Sequence, residues 1–157
     1  MIYNSEVNMQ TETINMPGVN NLYKVAGLYL AGQPVLEVIP KLKEMGITKV
    51  YNIRSEGELD FSEHEAEFKK HGMEYIFLPI MLDGALNPAA IKQLNTMIDK
   101  NETNFIHCGS ANRVAGWLIT YLVQNEGMDF EQAVSVAQNS GLKSVEFIEQ
   151  AQNFINA

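Results

Sequence analysis

The chain has 157 residues, 46% of them hydrophobic and 19% charged, with a formal net charge of −8. That length is most simply one domain with a sizeable core, and the acidic balance argues against nucleic acid or an anionic membrane as partner, since both ask for basic surface. No apolar run approaches the ~20 residues that span a bilayer, and no basic stretch followed by an apolar one opens the chain, so a cytoplasmic protein is the default expectation, an exported form with its signal peptide removed being the alternative.

Residues 1–20 are polar without a sustained period and read as an N-terminal arm, leaving 21–157 as a single domain. "LYLAGQ" (Leu28–Gln33) predicts a strand ending at Gly32. "PVLEVIPKLKEMG" has helical spacing through Val35, Ile39, Leu42 and Met45, stops at Gly46, and carries Pro40, which should kink or split it. "TKVYNI" (Thr48–Ile53) predicts a strand with Arg54 at its carboxyl end. "FSEHEAEFKKHG" predicts an exposed helix with Phe61, Ala66 and Phe68 inward and His64 and His71 solvated. "YIFLPI" (Tyr75–Ile80) predicts a buried strand.

"NPAAIKQLNTMIDK" carries a capping Asn87, Pro88 in the first turn and a stripe of Ile91, Leu94 and Ile98. "NFIHC" predicts another strand and "RVAGWLITYLV" a helix apolar on nearly every face. In "DFEQAVSVAQNSG", Asp129 and Gln132 stand at capping-box spacing, and a last helix follows from about Ser144. Strand and helix alternate and then helices alone follow, which predicts an α/β fold with a mostly parallel central sheet of four or five strands flanked by helices. The eight methionines are scattered and read as core filling, not metal ligands.

The one cysteine, Cys108, excludes an internal disulfide and a thiolate cluster for zinc. It leaves its strand into a loop of small residues, Gly109, Ser110, Ala111 and Asn112, closed by Arg113 at the start of a helix. In sheets of this kind ligands bind beyond the carboxyl ends of the strands. Successive loop N–H groups, the helix N-terminus and a bidentate guanidinium can together hold a tetrahedral oxyanion. A thiol on the floor of such a cradle should titrate below the ~8.5 of a free cysteine. A buried, inert cysteine ahead of a core helix is the plainer alternative.

"FIHCGSANRVAGWL" resembles the active-site loop of cysteine-dependent phosphatases, most closely the bacterial beta-lactamase hydrolase-like, or dual-specificity-phosphatase-like, branch. "GLYLAGQPVLEVIPKLKEMGITKVYNIRSEGE", "YIFLPIMLDGALNPAAIKQL" and "MDFEQAVSVAQNSGL" extend that resemblance over roughly residues 22–142. It implies the phosphotyrosine protein phosphatase II type of fold. It also implies hydrolysis of a phosphomonoester, carried by a phosphorylated small molecule or a phosphoprotein, through a Cys108 thiophosphate with no cofactor or metal. The catalytic roles fall by position on Cys108 as nucleophile, Arg113 as holder of the phosphoryl oxygens and Asp83 as general acid. The phosphate-binding loop is then Gly109, Ser110, Ala111, Asn112 and Arg113. His107 resembles the histidine that orients the family's loop. Asp83 lies independently on a Gly-containing loop after the strand Tyr75–Ile80, where a mobile carboxyl could exchange protons with a substrate or simply be solvated. Arg54, with Glu56 and Glu58, would either border the pocket or form surface ion pairs.

Four residues separate Cys108 from Arg113, against five in the main phosphatase lineage; the beta-lactamase hydrolase-like branch shares the short spacing. The usual loop glycine is Ala111, which resists positive φ, and the hydroxyl residue that normally follows the arginine is Val114, with Ser110 as a substitute. These departures predict slow turnover, or a phosphate-binding module of little activity. Rhodanese sulfurtransferases have the same loop length, but would return to a further strand after the loop helix, where this chain continues helical.

Overall fold

The structure, a computed structural model, describes residues 9–157. The strands are β1 (Glu12–Ile14), β2 (Leu22–Val25), β3 (Leu28–Ala31), β4 (Lys49–Asn52), β5 (Glu74–Phe77), the short β6 (Met81–Leu82) and β7 (Ala85–Leu86), and β8 (Asn104–His107). The helices are α1 (Ile39–Glu44), α2 (Ser62–Lys70), α3 (Pro88–Met97), α4 (Asn112–Gln124), α5 (Phe130–Gln138) and α6 (Glu146–Asn156). The main sheet has six strands in the order β1-β2-β3-β8-β4-β5, and β6 and β7 form a separate hairpin. β3, β8, β4 and β5 run parallel, as expected, while β1 and β2 add an antiparallel edge, so the sheet is larger than four or five strands.

That edge lies partly in the segment read as an arm. Its first residues, 1–8, are outside the described residues, but from Met9 onward the chain is built into the domain. β1 pairs with β2, and the Thr11 hydroxyl lies 2.7 Å from that of Ser140 beyond α5. Pairing with one neighbour asks little of apolar periodicity, which is why composition gave no sign of it.

Alternation along the parallel strands divides the core in two. Leu30, Tyr51, Ile106 and Cys108 face a cluster that includes Ile91, Trp117 and Phe147 from α3, α4 and α6. Ala31, Val50 and Phe105 face the other side, against Ile39 and Leu42 of α1 and Phe68 of α2. Phe68 alone of the inward set expected on α2 is fully buried; Ala66 is exposed and Phe61 half-buried. Pro40 does split its helix: a 3-10 turn over Leu36–Val38 precedes α1. The strand expected over Tyr75–Ile80 is regular only over Glu74–Phe77. Beyond it Leu78 N and Ile80 N still donate to Asn52 O and Ile53 O, while Pro79 has no N–H to give. Asn87 and Asp129 cap α3 and α5 through the N–H groups of Ala89 and Glu131. Among the described residues no helix is long and apolar enough to cross a membrane.

α4 is the keystone of the helical layer, with every residue from Val114 to Leu122 buried. Gly116 lets α6 close on it: a Cβ there would stand 2.9 Å from the Phe147 ring. Gly116→Ala should therefore destabilise, although alanine is the better helix former by about 1 kcal/mol. Overpacking a buried contact costs roughly 1–3 kcal/mol, and the expected result is a melting temperature lower by roughly 3 °C or more in thermal unfolding. A higher melting temperature would mean that α6 yields freely.

Candidate active site

β8 is buried along its whole length and is paired on both sides. Its carboxyl end is held just as firmly. The Cys108 N–H donates to Ala31 O at 3.1 Å, and the His107 carbonyl accepts from Ile53 N at 3.0 Å. Cys108 is fully buried directly ahead of α4. The turn between them needs a left-handed residue, and Ala111 supplies it with φ 77° and ψ −7°. An alanine there carries a strain of roughly 1–2 kcal/mol that glycine would not; the loop imposes the conformation in spite of its side chain.

The outer side of the loop is tied down by residues that sequence reasoning did not single out. The Gly109 carbonyl accepts from Gln33 N at 3.0 Å and from Asn20 Nδ2 at 3.2 Å, and the Ser110 carbonyl from Asn21 Nδ2 at 3.0 Å. A trans peptide points its N–H opposite to its carbonyl. The N–H groups of Ser110 and Ala111 are thereby turned away from the Asn20–Asn21 side. Gly32 makes this contact possible: a Cβ there would lie 2.3 Å from Asn20 O and 2.6 Å from Gly109 O. The available signal was the Asn20-Asn21 pair itself, since asparagine tolerates positive φ, and Asn21 has φ 60°.

Asn112 was expected in the phosphate-binding loop, and its side chain is engaged elsewhere. Its Oδ1 accepts from the N–H groups of Lys143 at 2.7 Å and Ser144 at 3.1 Å, and its Nδ2 donates to Ser144 Oγ at 2.9 Å. Its backbone and one Nδ2 N–H remain. Val114 is fully buried, so the position after the arginine offers no hydroxyl.

Arg113 and Arg54 converge over Gly109: a Cβ on that glycine would lie 3.3 Å from Arg113 Nη2 and 3.8 Å from Arg54 Cζ. One carboxylate, Glu58, joins them. Arg113 Nη1 donates to Glu58 Oε2 at 2.6 Å and Nη2 to Oε1 at 3.0 Å. Arg54 Nε donates to Oε1 at 3.2 Å, and the Ser55 N–H also donates to Glu58. Arg54 Nη1 reaches Gln33 Oε1 at 2.9 Å, and its guanidinium lies 5.6 Å from the Phe61 ring centroid. The pairing with Arg113 and the Ser55 N–H hold the Glu58 carboxyl down at about 2 against partial desolvation. Glu58 in turn, with the Cys108 sulfur, holds the Arg113 guanidinium still more firmly protonated than usual, against its own burial. Arg54 thus forms the ion pair with Glu58 and also approaches Gly109, while Glu56 makes no ion pair there among the described residues.

His107 is buried, and burial pushes its imidazole down to about 3, so it is neutral at ordinary pH. Its Nδ1 lies 3.3 Å from the Cys108 carbonyl. His64, expected in solvent, is half-buried, with Nε2 3.1 Å from Pro34 O; His71 is also half-buried and pairs with Glu67 at 3.6 Å. Asp83 stands apart. It is exposed at the tip of the β6–β7 hairpin, where Asp83 with φ 52° and Gly84 with φ 80° form a two-residue Asp-Gly turn. Among the described residues no hydrogen bond or ion pair ties it to the loop. The hairpin leans on α6, with Leu86 N donating to Gln150 Oε1 at 2.8 Å. Among the described residues no group of three or more His, Cys, Asp or Glu side chains is arranged to hold a metal.

No protein-family model and no curated protein sequence matches the chain. Solved structures do. The fold is similar to that of Tk-PTP in its active form, at 15% identity and a TM-score of 0.74 over 90% of this chain and 97% of that one. It is similar to a TpbA variant from P. aeruginosa in complex with pTyr, at 15% identity and a TM-score of 0.72 over 99% and 92%. It is also similar to PTPMT1 in complex with PI(5)P, at 18% identity and a TM-score of 0.69 over 82% and 90%. At such identities the likeness is one of fold, and the phosphatase-like architecture expected from the sequence is the one the chain adopts.

The Glu58 pairing has a signature in acid. Above the ordinary carboxylate range Glu58 is ionised in both the folded and the unfolded chain, and the pairing contributes fully. As pH falls the unfolded chain takes up the proton near 4.5 and the folded chain only near 2, so the contribution drains away between those values. In Glu58→Gln, melting temperature should fall less steeply across that window than in the parent. Parallel curves would show that the pairing adds nothing to stability.

Proposed function

We propose that this chain is a cysteine-dependent phosphatase that hydrolyses a phosphomonoester through a Cys108 thiophosphate. The observation that carries this reading is the convergence over one small-residue loop of a strand-end cysteine, a helix N-terminus and two guanidinium groups, in an acidic molecule whose fold is shared with phosphatases. An anion would be drawn to that corner and repelled elsewhere. Glu58 engages one N–H on each terminal nitrogen of Arg113; the Nε–H and the second N–H on each terminal nitrogen remain for phosphoryl oxygens.

The chemistry is a double displacement. The Cys108 thiolate attacks phosphorus as the P–O bond to the leaving group breaks, and the Asp83 carboxyl protonates the departing oxygen. A water then attacks the thiophosphate, giving a proton to the Asp83 carboxylate, and the thiolate leaves. The loop N–H groups and Arg113 stabilise the charge on the equatorial oxygens in both steps. His107, neutral and buried, holds the Cys108 carbonyl and takes no proton. With valine at 114, the departing thiolate lacks a hydroxyl partner at that position, which supports slow breakdown of the intermediate. The pTyr and PI(5)P complexes of similar folds suggest the substrate range to try first, a phosphotyrosyl peptide and a phosphorylated inositol ring. Sulfur transfer is disfavoured by the all-helical chain after β8.

Substitution separates the roles. Asp83→Asn should slow hydrolysis of an alkyl or tyrosyl phosphate by roughly 10²–10⁴-fold, and much less with an activated aryl phosphate whose leaving group scarcely needs a proton. Cys108→Ser should abolish both reactions while leaving vanadate binding largely in place. Arg113→Lys keeps the charge but loses the fork, so vanadate affinity should fall nearly as far as in Arg113→Ala. A parent that binds vanadate tightly but releases phosphate from none of these substrates would sink the enzyme assignment and leave a binding module.

A further inference from the structure

Among the described residues, two buried ring nitrogens lack partners: His64 Nδ1 and His107 Nε2. Their environments fix the tautomers. His64 Nε2 faces the Pro34 carbonyl and His107 Nδ1 faces the Cys108 carbonyl; a carbonyl only accepts, so both of these nitrogens carry the proton. The two orphans are therefore both lone pairs, and what they lack is a donor.

Strand and helix periodicity put both on one side of the sheet. His107 lies on the same face of β8 as Phe105, its ring 5.8 Å from the Phe105 ring, and Phe105 belongs to the cluster that contains Phe68 of α2. His64 precedes Phe68 by one helical turn, so it shares that face of α2. Each imidazole thus lies on the side of the sheet where Phe68 and Phe105 share one apolar cluster. Among the groups that bear electrostatically on His107, His64 is prominent.

We infer that His64 is a positioning residue for the nucleophile loop, acting on His107 through one buried water that donates an O–H to each lone pair. A single water has two donors to give, and buried waters characteristically serve polar groups that the protein leaves unsatisfied. Two nitrogens alone fall short of the four ligands that zinc takes, and no third candidate ligand lies with them among the described residues. The bridge fixes the His107 lone pair at Nε2, and so keeps its proton at Nδ1, where it holds the Cys108 carbonyl. Without the bridge His107 can change tautomer and release that carbonyl. The inference rests on the reading of Cys108 as nucleophile only for its consequence; the contact itself is independent of it.

Two substitutions divide the functions of the His64 ring. His64→Asn places an acceptor where Nδ1 was and loses the bond to Pro34. His64→Gln keeps a donor for Pro34 and loses the Nδ1 acceptor. Nitrogen-15 NMR of the His107 ring and the rate of Cys108 alkylation by iodoacetate at pH 6 report on both. The parent and His64→Asn should show an Nδ1-protonated His107 with a hydrogen-bonded Nε2 and equal alkylation rates. In His64→Gln the Nε2 resonance should move downfield and alkylation slow by roughly three- to tenfold, the worth of one hydrogen bond. The reverse pattern, with His64→Gln like the parent and His64→Asn slowed, would overturn the inference in favour of His64 as an anchor of α2 to Pro34, and any other pattern also overturns it. A parent whose Cys108 resists alkylation altogether would remove the nucleophile reading instead, and the His107 Nε2 resonance would then decide the contact alone.

Discussion

Cys108 is gripped from two sides before the loop begins: its own N–H is bound by Ala31, and the carbonyl ahead of it by the Ile53 N–H. Everything beyond depends on that double attachment. A strand paired on both flanks has no freedom at its end, so the thiol cannot follow the motions of the loop. The loop must then turn within Gly109, Ser110 and Ala111 to reach a helix whose axis is fixed by burial of nearly all its faces. The left-handed alanine and the close approach at Gly32 are consequences of how little room that leaves.

The second constraint is electrostatic. Arg54 and Arg113 bring like charge to one corner, and Glu58 between them makes the arrangement tolerable in the absence of a ligand. Because Glu58 sits four residues after Arg54 and on the loop leaving β4, its carboxylate joins two neighbouring strand ends, β4 through Arg54 and β8 through Arg113. Gln33, from the end of β3, bonds both Arg54 and the Gly109 carbonyl and ties in a third. The site is thus assembled from the carboxyl ends of three adjacent parallel strands, where such sheets place their ligands. The general-acid candidate is built differently, on a two-strand hairpin braced by α6, which suits a group that has to approach and withdraw.

The parallel strands and all the helices were legible because each carries a strong period and its own start or stop signals, as the caps Asn87 and Asp129 and the terminating Gly46 illustrate. Cys108, Arg113 and the small-residue loop were legible because adjacency in sequence is adjacency in space there. The antiparallel edge was not: β1 is short and exposed, and its register is set by β2, not by its own pattern. Asn20, Asn21 and Gln33 were illegible for a related reason. Asn20 and Asn21 act through side-chain hydrogen bonds to carbonyls 89 residues away, and Gln33 through its backbone N–H to the distant Gly109 carbonyl, and polar groups at the surface announce no partner. His64 was misread because one exposed helix carries both solvated and inward residues, and only its one-turn spacing from Phe68 distinguishes it.

The central claim is that Cys108 and the loop to Arg113 form a phosphoryl-transfer site, and a crystal soaked in orthovanadate tests it most directly. The account predicts vanadium bonded to Cys108 Sγ, with equatorial oxygens held by loop N–H groups and by Arg113, whose terminal nitrogens stay on Glu58. Vanadate bound elsewhere on the molecule, with the loop empty and Cys108 sealed beneath α4, would contradict it and return the cysteine to a structural role.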